Sequence, residues 1–184
     1  MALTMAGTMV GALTWAGPAL ADGCPTAPDH SEPLQGLYDQ LLEVDGEMQA
    51  RLVSNQMWQY WADAPDEASQ EILDEGMKAR AAWDFLRAID RFDALIGYCP
   101  FYAEGYNQRG FVNYLRQDYE ATLPDLERAL DINPKHLGAL SGRALTLLAL
   151  GREVEGQKAL RDALELNPWL TERYLLKPLP GQEL

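Results

Sequence analysis

Apolar and polar positions recur along this chain at a fixed interval. The phrase RALDINP begins at Arg128, and DALELNP begins 34 residues later at Asp162. The segment ALIGYCP, which begins the same distance before Arg128, keeps the apolar residues and the final proline. Such a period indicates stacked copies of one structural unit, because a single unit cannot bury its own apolar face. The centre of the chain is therefore divided into three copies, residues 69–102, 103–136 and 137–170.

Two blocks of apolar residues at helical spacing make up each copy, with a short polar stretch between them. Asp84 and Asp118 begin the second block of the first two copies, where a carboxylate can accept hydrogen bonds from the free amides of a helix start. The aligned positions are Ile72, Tyr106 and Leu140; Gly76, Gly110 and Ala144; Ala88, Thr122 and Gly156; Phe92, Leu126 and Leu160; Leu95, Ala129 and Ala163; Pro100, Pro134 and Pro168. This pattern predicts an all-α fold, an α-solenoid of antiparallel helix pairs.

The segments that flank the three copies carry a weaker form of the same pattern. Residues 34–68 contain two amphipathic stretches, which predict a degenerate helical capping pair. Trp58, Tyr60 and Trp61 could instead form a membrane-interface belt, but we favour a core or capping role because the end of a repeat stack has to be covered. Residues 22–33 are predicted to be a flexible leader and residues 171–184 a short C-terminal cap and tail.

The three repeats resemble the tetratricopeptide repeat (TPR) family, and the segment YAEGYNQRG resembles uncharacterised periplasmic TPR proteins of α-proteobacteria. The resemblance implies a curved stack whose first helices line a concave surface that binds a protein or peptide. Carried over onto this sequence, the partner-binding groove consists of Leu73, Met77, Asn107, Gln108, Phe111, Tyr114, Leu145 and Leu148. Some members hold the C-terminal carboxylate of heat-shock chaperones with Lys and Asn at the positions of Leu73 and Met77, so that clamp is not expected here.

One position of the first helix departs from the family pattern. Where the family has an apolar residue, the three repeats have Glu75, Arg109 and Arg143. The interpretation that we favour is a ladder of side chains whose stems pack between helices, while their heads reach water or pair Glu75 with Arg109. The alternative is that Arg109 and Arg143 bind a carboxylate of the partner through paired hydrogen bonds.

The charge of the chain narrows the choice of partner. The sequence has 15 Lys and Arg residues against 28 Asp and Glu residues, a formal net charge of −13. A surface of that sign repels the phosphates of nucleic acids and anionic lipid headgroups. We therefore expect a protein or peptide partner and no nucleic acid, with a homo-oligomer as an open alternative.

The first 21 residues carry no charged side chain and end in Ala19-Leu20-Ala21, the small-residue pattern of a signal-peptidase site. We predict that residues 1–21 are a signal peptide and that the mature protein is periplasmic or secreted, without stable membrane insertion; an uncleaved anchor is the alternative. In an oxidising compartment Cys24 and Cys99 are candidates for a disulfide, whereas two separate buried thiols are the alternative. Acylation of Cys24 at a lipoprotein site is disfavoured by Ala21.

Side chains that could carry catalysis or bind a metal are sparse. His30 and His136 have no partner at a metal-ligand spacing, and neither cysteine has an activating base close in sequence. No phosphate-binding, dinucleotide-binding or nucleophile motif occurs. We therefore expect no cofactor, no metal and no enzymatic activity, and predict an exported protein-binding adaptor or assembly factor. The alternatives are a structural repeat protein that associates with itself and, more remotely, an enzyme with an unrecognised pocket.

Overall fold

The computed structural model describes residues 23–178, and over that range helices follow one another without a strand. Their bounds are α1 Ser31–Glu43, α2 Glu47–Trp61, α3 Glu67–Ala81, α4 Phe85–Tyr98, α5 Ala103–Leu115, α6 Tyr119–Ile132, α7 Leu137–Ala149, α8 Glu153–Leu166 and a 3-10 helix Thr171–Leu175. The predicted all-α fold is confirmed. The predicted signal peptide and residues 179–184 of the predicted tail lie outside the described residues. Within 23–178, no helix combines the length and the hydropathy needed to cross a bilayer.

The turn between the two helices of each repeat has one backbone conformation in all three copies. Trp83, Gln117 and Gly151 occupy equivalent positions and have φ values of 61°, 62° and 73°. The amide after each of them donates to a carbonyl five residues earlier, as Asp84 does to Ala79 at 3.0 Å. Only the third repeat uses glycine, which adopts this left-handed conformation without a steric cost. The shared turn sets the second helix of each repeat antiparallel to the first.

Aspartate side chains begin the second helices of the first two repeats, as the sequence predicts. The carboxylate of Asp84 accepts the backbone N–H of Arg87 at 3.3 Å, and that of Asp118 accepts the N–H of Ala121 at 3.2 Å. The third repeat has Arg152 at this position, without a side-chain cap. Each cap provides an acceptor for an amide that would otherwise lack one.

The α1–α2 pair spans residues 31–61, so that α1 begins inside the segment predicted as a leader, and the pair packs against the far end of the stack. Its apolar cluster includes Leu41 and Met57 and extends to Leu137, Leu166 and Trp169 of the third repeat. Hydrogen bonds also hold the pair in place: Asn167 of the third repeat donates to Ser54, Tyr38 donates to the carbonyl of Lys135 just before that repeat, and Arg173 just after it donates to Glu47. The pair therefore covers the third repeat, a position that periodicity along the chain does not indicate.

The leader that precedes α1 is attached to the end of α4. The sulfur atoms of Cys24 and Cys99 lie 1.96 Å apart, at bonding distance, and their Cα atoms 5.1 Å apart. Cys24 and Ala27 also pack against the core of the first repeat, which includes Phe92 and Leu95. The leader thus contacts the first repeat, whereas α1 and α2 lie mainly on the third repeat, and Trp61 at the end of α2 also contacts Tyr102 and His136.

Candidate functional site

The first helices of the three repeats line a groove, and the end of α2 and the 3-10 helix form its edges. The groove has a volume of about 520 Å³. Its lining residues are Trp58, Ala62, Met77, Arg80, Asn107, Gln108, Gly110, Phe111, Tyr114, Leu126, Gly138, Ser141, Gly142, Leu145 and Glu172. Six of the eight residues that the sequence places in a partner-binding groove are brought together here, namely Met77, Asn107, Gln108, Phe111, Tyr114 and Leu145.

The other two predicted groove residues, Leu73 and Leu148, lie elsewhere. Leu73 is fully buried and belongs to the core of the first repeat together with Phe92. Leu148 is turned toward α8, and its Cδ2 atom would lie 2.7 Å from a Cβ placed on Gly156. Both leucines pack between the two helices of their own repeat, because Leu73 shares the buried face of α3 and the absent side chain of Gly156 makes room for Leu148.

Phe111 presents an aromatic ring to the groove. The residue is 42% exposed, although most of α5 around it is buried. The guanidinium carbon of Arg80 lies 4.8 Å from the centre of the Phe111 ring, within the range of a cation–π interaction. One turn further along α5, the pKa of Tyr114 is raised by burial and, to a smaller extent, by Tyr119 and Glu172. The groove therefore has an aromatic wall with a cation beside Phe111 and an anion near Tyr114.

A buried hydrogen-bond network links α5 to the start of α7. The carboxylate of Glu104, which is 1% exposed, accepts from Asn107 Nδ2 at 3.1 Å and from Gln108 Nε2 at 2.5 Å. It also pairs with Nε2 of His136 at 2.8 Å, while Nδ1 of His136 accepts the backbone N–H of Ala139 at 3.2 Å. Because Nδ1 serves as the acceptor in this geometry, Nε2 is the ring nitrogen that donates to Glu104. The network caps α7 and holds α5 against it.

The side-chain amide of Gln108 is only partly hydrogen-bonded. Its NH₂ group donates to Glu104, whereas Oε1 is buried and has no hydrogen-bond partner among residues 23–178. The residue is 2% exposed and lines the groove. An unpaired buried acceptor costs about 1–3 kcal/mol. A bound molecule that supplied a hydrogen-bond donor to Oε1 would therefore remove this cost.

Arg109 is engaged within the protein. Its guanidinium donates to both carboxylate oxygens of Asp125, at 2.9 Å and 2.5 Å, and to Asp93 at 2.6 Å. These carboxylates raise the pKa of Arg109, with Asp125 as the main cause. Glu75 pairs with Arg91 at 3.4 Å, so the predicted pair of Glu75 and Arg109 does not form. The carboxylate that Arg109 binds is supplied by its own chain.

Arg143 has a different environment. Its Nε atom is buried without a hydrogen-bond partner in the described range, and no carboxylate lies within ion-pair distance of its guanidinium there. Its charge also lowers the pKa of Glu155, after the larger effect of Arg152. Arg143 does not line the groove.

A second cavity, of about 660 Å³, lies between the leader, α1 and the junction before α7. Several polar groups around it are paired with one another. His30 Nε2 lies 2.7 Å from the carboxylate of Asp63, and the hydroxyl of Tyr102 donates to the carbonyl of Trp61 at 2.7 Å. Trp61 in turn stacks on His136 with 4.5 Å between the ring centres. The first of these contacts joins the leader to the segment after α2, and the other two hold the end of α2 against the starts of α5 and α7.

Comparison with known proteins finds relatives that carry tetratricopeptide repeats. No family model matches the chain. A TPR repeat-containing protein of Rhizobium etli is 30% identical over 135 residues, which cover 73% of this chain and 66% of the relative. The chain belongs to the tetratricopeptide repeat family. It spans between 41% and 66% of the length of the curated TPR relatives that it matches.

Solved TPR structures have the same fold. The first TPR of Spaghetti (RPAP3), bound to the HSP90 peptide SRMEEVD, is 20% identical with a TM-score of 0.57, and the match covers 58% of this chain and 85% of that one. The TPR2B domain of yeast Sti1, in a complex with pHsp70, is 17% identical with a TM-score of 0.55, over 60% and 90% of the two chains. At these identities the similarity establishes the TPR fold alone.

Three lining residues of this TPR groove come from outside the repeats and were missed by sequence reasoning. Trp58 and Ala62 belong to the end of α2, and Glu172 belongs to the 3-10 helix. The ring of Trp58 would lie 3.0 Å from a Cβ on Gly138 of α7. The only signal in the sequence is a tryptophan on an amphipathic helix, and this signal does not show which helix the tryptophan will meet.

Proposed function

We propose that this protein is an exported TPR adaptor or assembly factor that binds a protein or peptide segment in the groove. The observation that carries the proposal is the half-exposed ring of Phe111, set among Met77 and Leu145 in a groove of about 520 Å³. Concave apolar surfaces with a few polar groups are the usual sites where proteins bind other molecules. TPR structures solved with an HSP90 peptide and with pHsp70 support a peptide-binding role.

The anchors of the bound segment are expected to be apolar. Met77 lines the groove where some family members carry a carboxylate-binding side chain, and Leu73 at the other such position is buried. Phe111 and Tyr114 lie one turn apart on α5, so they present one continuous aromatic face. A segment with two or three large apolar side chains fits such a face, whether it binds as an amphipathic helix or in extended form.

Export is part of the proposal. It is supported by the uncharged segment that ends in Ala19-Leu20-Ala21 and by the cysteine sulfur atoms at bonding distance, since disulfides persist in oxidising compartments. The mature protein is then periplasmic or secreted and begins at Asp22.

The test is crosslinking and affinity capture from the periplasm, with the wild-type protein and the Phe111→Ala/Tyr114→Ala variant compared. Leu86→Ala is the matched control, because Leu86 is a 71% exposed apolar residue of α4 that does not line the groove. We expect a partner that the wild type and the control capture and that the double variant loses, with equal helicity of all three by circular dichroism. Intact mass of the periplasmic protein should show the loss of residues 1–21.

Other outcomes would point elsewhere. If the double variant captured the same partners as the wild type, binding in the groove would be excluded. An empty capture in all three cases, together with a mass that rises with protein concentration, would favour self-association. Full-length mass, or absence from the periplasmic fraction, would contradict export.

A further inference from the structure

Arg80 is the one cationic residue among the described residues that line the groove. Its side chain is half-buried, and this burial lowers the pKa of the guanidinium. No carboxylate of residues 23–178 lies within ion-pair distance of Arg80, and the long-range attraction of Glu104 only partly offsets the burial. The carboxylate of Glu104 already accepts from three donors. The N–H groups of Arg80 are therefore available to a bound molecule.

The unpaired acceptor of the groove lies on the same side of α5. Gln108 and Phe111 are three residues apart on this helix, so they share one face, and Phe111 is the ring over which Arg80 lies. Oε1 of Gln108 needs a donor that the described chain does not supply. A peptide backbone carries such a donor at nearly every residue, whereas a hydrocarbon chain has none.

The charges around the groove favour a carboxylate beside Arg80 over one elsewhere. Glu172, the one acidic residue that lines the groove in the described range, lies near Tyr114, and the chain as a whole carries a net charge of −13. An acidic side chain is repelled by most of this surface and is attracted at Arg80. Paired hydrogen bonds from one guanidinium to one carboxylate would add geometric selectivity to that attraction.

We propose that the groove selects a peptide segment in which an internal Asp or Glu stands beside apolar anchors, with its carboxylate on Arg80 and a nearby N–H on Gln108. The inference rests on the proposed function, because it specifies the ligand of the same groove. A terminal carboxylate offers the same chemistry, but exposed segments of a folded partner mostly lie within its chain, so a side chain is the expected source.

The test uses a set of short fluorescent peptides, acetylated and amidated, in which Leu or Phe residues surround one Glu, and a matched set with Gln in place of Glu. Fluorescence anisotropy gives Kd for the mature wild type, Arg80→Gln, Arg80→Lys and Arg87→Gln. Arg87 is an exposed residue of α4 outside the groove and serves as the matched control. Circular dichroism checks that all variants are folded.

We expect the wild type and Arg87→Gln to bind the best Glu peptide about 10-fold more tightly than its Gln counterpart. This ratio should fall to about 1 in Arg80→Gln and be partly kept in Arg80→Lys, since an ammonium keeps the charge and loses the paired geometry. Added salt should reduce the ratio in the wild type.

Several results would overturn the inference. Equal binding of the Glu and Gln peptides by the wild type would leave the apolar groove as a binding site and remove its acidic preference. A preference that survives in Arg80→Gln would assign it to another residue. A Gln peptide with a free C-terminal carboxylate that binds as tightly as the Glu peptide would move the site to chain termini, and equal competition by decanoate would replace the peptide with a fatty acid. If no peptide bound, both the inference and the proposed groove function would fail.

Discussion

At the scale of single residues, the charged position of the first helix is used in different ways in the three repeats. Arg109 joins Asp93 on the preceding helix to Asp125 on the following helix, so one guanidinium connects three helices. Asp125 is 6% exposed and depends on that cation for its partner. The sequence identified the unusual position, but it did not identify the pairing, because Asp93 and Asp125 each lie 16 residues away.

The substitution Arg109→Gln should lower the free energy of unfolding by about 2–3 kcal/mol, because it leaves the buried carboxylate of Asp125 without its cation. Urea denaturation followed by circular dichroism measures the change. Arg152→Gln is the control, since Arg152 forms an exposed pair with Glu155 that is expected to contribute little. An equal decrease in the free energy of unfolding in the two variants would mean that leaving the buried carboxylate of Asp125 without its cation costs no more than breaking an exposed pair.

At the scale of the helices, most of the repeat structure could be predicted from local signals in the sequence. The aspartate caps of the first two repeats and the aligned small residues of all three predicted the helix pairs, because both act between neighbours in the chain. Phe111 and Met77 were assigned to the groove from the resemblance to TPR proteins, whose first helices line the concave surface. The contact of Trp58 with Gly138 could not be predicted in this way, since the apolar face of an amphipathic helix can bury itself against many surfaces.

The close approach of α3 and α4 depends on Gly76. A Cβ at this position would lie 2.4 Å from the ring of Phe92, which is fully buried. Gly76→Ala should therefore destabilise the protein by about 1–3 kcal/mol through overpacking. Gly97→Ala is the matched control, because the space around Gly97 on α4 is open and the alanine should add about 0.5 kcal/mol of helix propensity. Thermal and urea unfolding compare the two, and a neutral Gly76→Ala would show that Phe92 can move without cost.

At the scale of the whole molecule, a disulfide between Cys24 and Cys99, whose sulfur atoms lie at bonding distance, is expected to restrict the unfolded chain. The two residues are 75 positions apart, and disulfides typically contribute about 2–4 kcal/mol, with long loops at the upper end of that range. Reduction with dithiothreitol should lower the free energy of unfolding by that amount in the wild type. The Cys24→Ser/Cys99→Ser variant should start at the lower value and not respond to the reductant. A wild type that is indifferent to reduction would show that the thiols are not bonded in solution.

The packing of the α1–α2 pair on the third repeat also bears on how the protein unfolds. A linear array of repeats has contacts only between neighbours, so it can fray from either end and lose its units one by one. Here one hydrogen bond joins Ser54 to Asn167, 113 positions apart in the chain, and another joins Glu47 to Arg173, 126 positions apart. Unfolding of the α1–α2 pair therefore removes packing contacts and hydrogen bonds from the third repeat, and the reverse also holds. The two ends of the array are coupled, so the chain is expected to unfold as one cooperative unit, not as separate repeats.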